Sequence, residues 1–229
     1  MVRDEQVRRR NVARALVLLC VLASPPAAFA QAPAASQSAT TTEELALPEL
    51  LDSRPRAQIE SDLAAFRTMR ANAEARFVDA RDLELKAARN IDRNEVEITT
   101  LKSKRDLAKK AKEDAEARDL DAQIKKRELI RQFQEKLRAA RAAEVEHQAA
   151  TRDYAASAAR ACEIELRYAD RLSAGLANPR MFQGTRDLEA AALEALQNRA
   201  NAMSRLADKE RTLADRKKQV LESWEKLLR

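Results

Sequence analysis

The chain has 229 residues and a formal net charge of +6 at pH 7; 35% of its residues are charged and only 3% are aromatic. Two glycines in the whole sequence cannot supply the turns of a β-rich domain, and few β-branched or aromatic residues are present to build a sheet. This composition is typical of long helices. We therefore predict an all-α fold, an elongated antiparallel coiled coil or three-helix bundle with very long helices, preceded by a cleaved signal peptide and a disordered linker.

Residues 1–30 have the features of a secretory signal peptide. Arginines cluster at the start, residues 15–23 form an apolar run too short to span a bilayer, and Ala28-Phe29-Ala30 is a small-x-small cleavage site. We expect export, to the periplasm of a bacterium or otherwise to the extracellular space. These thirty residues hold five arginines and two acids, so their removal lowers the net charge from +6 to +3. Such a small excess of positive charge does not favour nucleic acid as a partner.

Residues 31–53 are predicted to be a flexible linker. Residues 31–42 contain Ala, Ser, Thr and Pro without hydrophobic periodicity, which is typical of disordered segments. Residues 43–51 form a short amphipathic patch that Pro48 interrupts.

Residues 54–229 are predicted to form one coiled-coil helical domain. Asp52 or Ser53 is placed to cap a helix that has Pro55 in its first turn, and no Gly or Pro follows until residue 175. Apolar residues then recur in alternating steps of three and four. We predict helix A over about 54–112, helix B over about 119–173, a corner at 173–186, and helix C over about 186–228.

The sequence leaves the first fold-back point open. A bend near Glu113–Arg118 is the preferred prediction, because residues 108–119 lack large apolar side chains and contain aspartates that favour turns. A bend at Asn90–Asn94 and a continuous helix are the alternatives. A bend centred near Glu116 would place Leu101 near Phe133, and a corner centred near Arg180 would place Leu137 near Trp224. Helix C would then cover only part of the A–B hairpin, and residues 102–130 would project as a two-helix tip.

Two segments are candidate interaction sites. The first is a basic run on the projecting tip, with one acid in its midst: Lys102, Lys104, Arg105, Lys109, Lys110 and Lys112. It is either a solvated helix face or a surface that meets anionic lipid, an anionic envelope polymer or an acidic protein. The second is the pair Met181 and Phe182 in the corner, which either cover the end of the bundle or dock into a partner.

No set of residues predicts catalysis. His147 is the only histidine, and Cys162 is the only cysteine outside the signal peptide. On one helix these two residues would be about 22 Å apart, too far for a catalytic Cys-His pair. Cys162 is either a small buried side chain or the site of an intermolecular disulfide. We expect no enzyme activity, no cofactor and no metal.

The sequence thus predicts an exported, non-enzymatic protein that acts through protein–protein interaction as a scaffold, spacer or adaptor in the bacterial envelope. The alternative is a holdase-like periplasmic chaperone for unfolded envelope proteins. A homo-oligomer, and peripheral contact with anionic lipid or an envelope polymer, stay open.

Overall fold

The computed structural model describes residues 54–173 and 183–228, and within these ranges the chain forms three helices and no strand. They are α1 (Arg56–Lys110), α2 (Asp114–Ser173) and α3 (Gln183–Leu228), with 55, 60 and 46 residues. At about 1.5 Å per residue their lengths are about 80, 90 and 70 Å. The all-α prediction is confirmed. The predicted signal peptide, the linker at 31–53 and the corner residues Met181 and Phe182 lie outside the described residues.

The helix α1 begins directly after Pro55, which is the N-cap residue and makes no side-chain capping hydrogen bond. The Pro55 carbonyl accepts hydrogen bonds from the amides of Gln58 (2.8 Å) and Ile59 (3.2 Å). Proline fits a helix start because the first amides have no intrahelical acceptor. Asp52 and Ser53, which were predicted to cap this helix, lie outside the described residues.

The first turn is a three-residue connection at 111–113. Lys112 has a φ of 63°, in the left-handed region, and the amide of Glu113 donates to the carbonyl of Ala108 at 2.9 Å. A left-handed residue followed by this backward hydrogen bond is the usual way in which a helix ends, although glycine is the common residue there. Because glycine is the usual residue at this position, the lysine found here does not indicate in the sequence that the helix ends.

This turn corrects the predicted bend at Glu113–Arg118. The helix α2 starts at Asp114, not near 119, and α1 runs through the alternative bend at Asn90–Asn94. The acids that suggested a loop occupy the first turn of α2 instead, where Asp114 and Glu116 favour a helix start through the helix dipole. The helix α3 likewise begins three residues before the predicted 186, a difference at the scale on which helix ends are defined.

The helices α1 and α2 pack on each other. At one end Ile59, Leu63 and Cys162 form a buried cluster; at the other Leu101 packs on buried Ala108, Ala117 and Leu120. Between them small residues recur every seven positions of α1, at Ala73, Ala80 and Ala87. Leu101 therefore lies at the turn and not beside Phe133, because the turn comes earlier than predicted.

The helix α3 packs on α2. The best-defined cluster joins Ala161 and Ile164 of α2 to Leu188, Ala192 and Ala195 of α3. Farther along, the rings of Phe133 and Trp224 are 5.4 Å apart between centroids. The predicted partner of Trp224, Leu137, is one helical turn away from the observed one. Residue 178, and not the predicted Arg180, is the midpoint between the end of α2 and the start of α3. A midpoint two residues earlier shifts each α2 partner by about four residues, which is the difference between Leu137 and Phe133.

Candidate functional site

The predicted basic residues lie at the turn that joins α1 to α2, but the structure divides them into two groups. Three are ion-paired to α2: Lys102 to Glu128 at 3.3 Å, Arg105 to Asp121 at 3.2 Å, and Lys109 to Asp121 at 3.9 Å. Hydrogen bonds to Asp106 and Asp121 raise the pKa of Arg105 above its ordinary value. These three side chains are already neutralised within the chain.

The other three lysines have no ion-pair partner within residues 54–173 and 183–228. Lys104, Lys110 and Lys112 are exposed, and the side chain of Leu107 between them is 65% exposed. We call Lys104, Leu107, Lys110 and Lys112 the basic tip. An unpaired ammonium group binds carboxylates or phosphates without a fixed geometry, so the basic tip is suited to an acidic surface and not to one shaped small molecule.

The start of α2 carries the opposite charge beside the basic tip. Glu113, Asp114, Glu116 and Asp119 are all exposed, and Asp119 accepts a hydrogen bond from Gln123 at 2.8 Å. The two arms of the turn therefore present a positive and a negative surface next to each other. A partner that binds only the basic tip has to approach from the α1 side.

Cys162 is a buried side chain and not an accessible thiol. It is 1% exposed, within the cluster formed with Ile59 and Leu63. Burial raises the pKa of the thiol above its ordinary value, and Glu165 adds to this effect while Arg54 opposes it. A thiol enclosed in this way is not accessible to a thiol of another chain in this packing, and the intermolecular disulfide stays a prediction. Of the two sequence interpretations, the small buried residue is the one that fits.

His147 lies half-buried among the three helices. Burial lowers the pKa of its ring below the ordinary value; the charges of Glu210 and Glu144 oppose this shift, and those of Lys217 and Arg76 add to it. A hydrogen bond of 3.4 Å joins its Nδ1 to the Gln148 side chain. Its neighbours are thus charges on both adjacent helices, and the ring contributes to packing.

A polar break in the heptad pattern of helix A is a buried group in the α1–α2 interface. Asn94 is 3% exposed, and its Nδ2 donates to the backbone carbonyl of Arg127 at 2.9 Å. Its Oδ1 has no hydrogen-bond partner in the described part of the chain. The signal was present, since Asn94 interrupts the apolar heptad positions of helix A, and a buried asparagine at such a position fixes the register of paired helices.

Two arginines lie over aromatic rings where helices meet, and nothing in the sequence pattern indicated them. The guanidinium of Arg152 in α2 is 5.6 Å from the ring centroid of Phe77 in α1, and that of Arg199 in α3 is 5.6 Å from the centroid of Phe66. The Phe66 ring also contacts Tyr154 edge-on at 6.1 Å. These cation–π contacts join α2 to α1 and α3 to α1.

An open groove of about 570 Å³ lies between α1 and α2. Its polar lining is made of carboxylates and one arginine: Glu84, Asp92, Glu95, Glu135 and Arg138. Arg131 and Arg138 lie within 4.0 Å of three of these acids. No group of three or more metal-ligating side chains occurs among residues 54–173 and 183–228.

No protein-family model, curated protein or solved structure matches this chain. Within the described ranges, no helix has a stretch long and apolar enough to cross a membrane. The basic tip and the packing of the three helices are the features of this chain that bear on function.

Proposed function

We propose that this chain is an exported, non-enzymatic coiled-coil protein that acts in the bacterial envelope as a spacer or adaptor and presents the basic tip to an acidic protein surface. In this proposal α1 and α2 form an antiparallel hairpin. The helix α3 returns along the part of α2 that is farther from the tip. The observation that carries the proposal is the exposed basic tip, with three unpaired lysines around an exposed leucine, at the end of two helices of more than fifty residues.

The order of the interhelical contacts supports the antiparallel hairpin. Ion pairs join Arg67 to Glu163 at 3.1 Å, Glu74 to Arg152 at 3.2 Å, and Glu97 to Arg127 at 2.6 Å. The α2 partner moves toward the turn as the α1 residue does. Each exposed pair contributes at most about 1 kcal/mol, so these pairs set alignment more than stability. The buried small residues beneath them let the two helices approach closely over a long distance.

In this proposal the hairpin holds the basic tip at a distance from α3. If α3 covers α2 as far as the contact between Phe133 and Trp224, the remaining arm from residue 133 to the turn is about 30 Å long. A hairpin arm of this kind holds a small charged surface away from the rest of the chain. Lysines bind acidic partners weakly and with strong salt dependence, which suits reversible attachment.

The experiment is site-specific photo-crosslinking in the envelope of the native cell. A photo-reactive residue at Leu107, in the basic tip, is compared with one at exposed Lys126 on the opposite arm. One discrete crosslinked product from position 107 and none from position 126 is the expected result, together with loss of that product when Lys104, Lys110 and Lys112 are changed to glutamine. Equal products from both positions, or a product that the glutamine changes leave intact, contradicts the proposal.

A second candidate, a holdase-like chaperone, is favoured by the apolar side chains exposed along α1. Val78, Leu85, Val96 and Leu107 are between 48% and 67% exposed, and such scattered apolar residues are suited to unfolded chains. Suppression of aggregation of an unfolded outer-membrane protein at equal molar ratio would support this role. In that case crosslinks from position 107 would form a ladder of many products.

A further inference from the structure

The helix α3 carries two heptad seams; the first is buried within the chain, and the second is largely exposed apart from residues such as Trp224, which packs on Phe133 of α2. The first contains the buried residues Ala192, Ala195, Ala202, Leu206, Leu213 and Val220, and its first part packs on α2. The second runs one residue later, in unbroken steps of three and four from Leu193 to Leu228: Leu193, Leu196, Ala200, Met203, Ala207, Glu210, Ala214, Lys217, Leu221, Trp224 and Leu228. One residue is about 100° around a helix, so the second seam faces a different direction from the first.

Exposure confirms that the second seam lies largely open. Nine large apolar side chains are exposed among the described residues, and four of them are on this seam: Leu193 at 49%, Met203 at 59%, Leu221 at 45% and Leu228 at 68%. The alanines at 200, 207 and 214 are exposed as well. A seam of 36 residues is about 54 Å long, which is the length of a substantial helix–helix interface.

The two charged residues of the second seam are opposite in sign, and both act on His147 of α2, whose pKa the charge of Glu210 raises and that of Lys217 lowers. Glu210 and Lys217 have no ion-pair partner in the described part of the chain, whereas Lys209, beside Glu210, pairs with Glu146 at 2.7 Å. A polar residue at a seam position costs stability and selects the orientation of the partner helix. The partner helix therefore has to present a positive charge near Glu210 and a negative charge near Lys217, seven residues apart.

We infer that the second seam binds the α3 helix of a second copy of this chain, antiparallel, around a two-fold axis near residue 212. In this register Glu210 lies close to Lys217 of the partner subunit, and the same contact repeats on the other side of the axis. A parallel, in-register pair would instead place Glu210 against Glu210 and Lys217 against Lys217, which is repulsive. The charge pattern is thus complementary to itself only in the antiparallel orientation.

Side-chain sizes agree with this register. Met203 meets the partner's Leu221, and half-buried Leu196 meets the partner's Leu228, so three of the four exposed large residues of the seam lie opposite another apolar side chain. Ala200 lies opposite the partner's Trp224; this residue is half-buried against Phe133 within each chain, so only part of its ring is available to the contact. A two-fold interface repeats each of these layers, so one surface supplies the whole contact.

The first test is the oligomeric state of the purified full chain without residues 1–30, measured by sedimentation equilibrium over a wide range of concentration. We expect a monomer–dimer equilibrium. Leu221→Lys should weaken the dimer by roughly a hundredfold, because the lost apolar contact occurs twice in a two-fold interface. Leu129→Lys is the matched control, since Leu129 is 42% exposed but lies on α2, and it should leave the dissociation constant unchanged.

The second test is charge exchange. Glu210→Lys or Lys217→Glu alone should weaken the dimer, and the two together should restore it, since the exchanged pair is again complementary. Far-ultraviolet circular dichroism of each variant checks that the helices are intact. A double variant that dimerises no better than the single ones overturns the antiparallel register.

The third test identifies the facing residues. In a Cys162→Ala background, chains with Met203→Cys are mixed with chains with Leu221→Cys and oxidised. The mixed pair should crosslink in high yield, and each variant alone should not. A protein that is monomeric at every concentration, a dimer that Leu221→Lys leaves intact, or crosslinks between identical positions would each overturn the inference. The outcome does not depend on the role of the basic tip.

Discussion

Ile164→Ala tests whether α2 and α3 pack together as described. Ile164 is 2% exposed and lies in the cluster with Ala161, Leu188, Ala192 and Ala195. The change deletes three carbon groups, each contributing about 0.8 kcal/mol on burial. Because small residues surround the site, little can move in to fill the space, and the cavity adds to the loss. We expect the free energy of unfolding to fall by about 3 kcal/mol.

The measurement is urea unfolding followed by far-ultraviolet circular dichroism at a fixed protein concentration. Leu129→Ala serves as the control on the same helix, because Leu129 is 42% exposed and its truncation should cost less than about 1 kcal/mol. Similar losses for the two variants, or a loss below about 1 kcal/mol for Ile164→Ala, would refute the packing of α3 on this part of α2.

Three further predictions concern single residues. Lys112→Gly should raise the free energy of unfolding by about 1 kcal/mol, because glycine has no Cβ to strain the left-handed turn, whereas Lys112→Ala should give no gain in the same urea experiment. Burial lowers the pKa of His147, so as the pH falls the unfolded chain binds a proton at this residue before the folded chain does. The free energy of unfolding should therefore decline below about pH 6.5. Urea unfolding of the two proteins between about pH 7 and pH 5.5 should show a smaller decline for His147→Gln. Asn94→Leu should keep or raise stability because it removes a buried oxygen without a partner. It should also let α1 and α2 pair in more than one register, seen as a lower yield of the intrachain disulfide when Glu97→Cys and Arg127→Cys are oxidised in a Cys162→Ala background; an unchanged yield would show that Asn94 does not fix the register.

The sequence predicted helices well because the signals for them are local. Alternating steps of three and four and the absence of Gly and Pro define α1 and α2, and Pro55 marks the start of α1 to within one residue. The first turn could not be located in the same way. Lys112 adopts a left-handed conformation that its residue type does not indicate, and the acids after it are compatible with both a loop and a helix start. When the predicted position of a turn is wrong by a few residues, each predicted partner across the turn is wrong by twice that number. This is why the predicted partner of Leu101 was wrong.

The candidate sites, like the first turn, could be predicted from the sequence only in part. The basic run was visible in the sequence, but which lysines are neutralised depends on Glu128 and Asp121, which reach them only across the turn. In α3 the sequence suggests one seam that includes both Met203 and Leu206, one exposed and the other buried. Periodicity gives the angle between such residues but does not say which of them another helix covers.

The most direct test of the account is an intrachain disulfide between positions 67 and 163, where Arg67 and Glu163 form an exposed ion pair at 3.1 Å. In a Cys162→Ala background, Arg67→Cys and Glu163→Cys are placed in one chain and oxidised at low protein concentration. If α1 and α2 fold back on each other, a monomer with an internal crosslink should form in high yield. In a continuous helix the two positions would be about 144 Å apart, so only crosslinks between chains, or none, would contradict the hairpin.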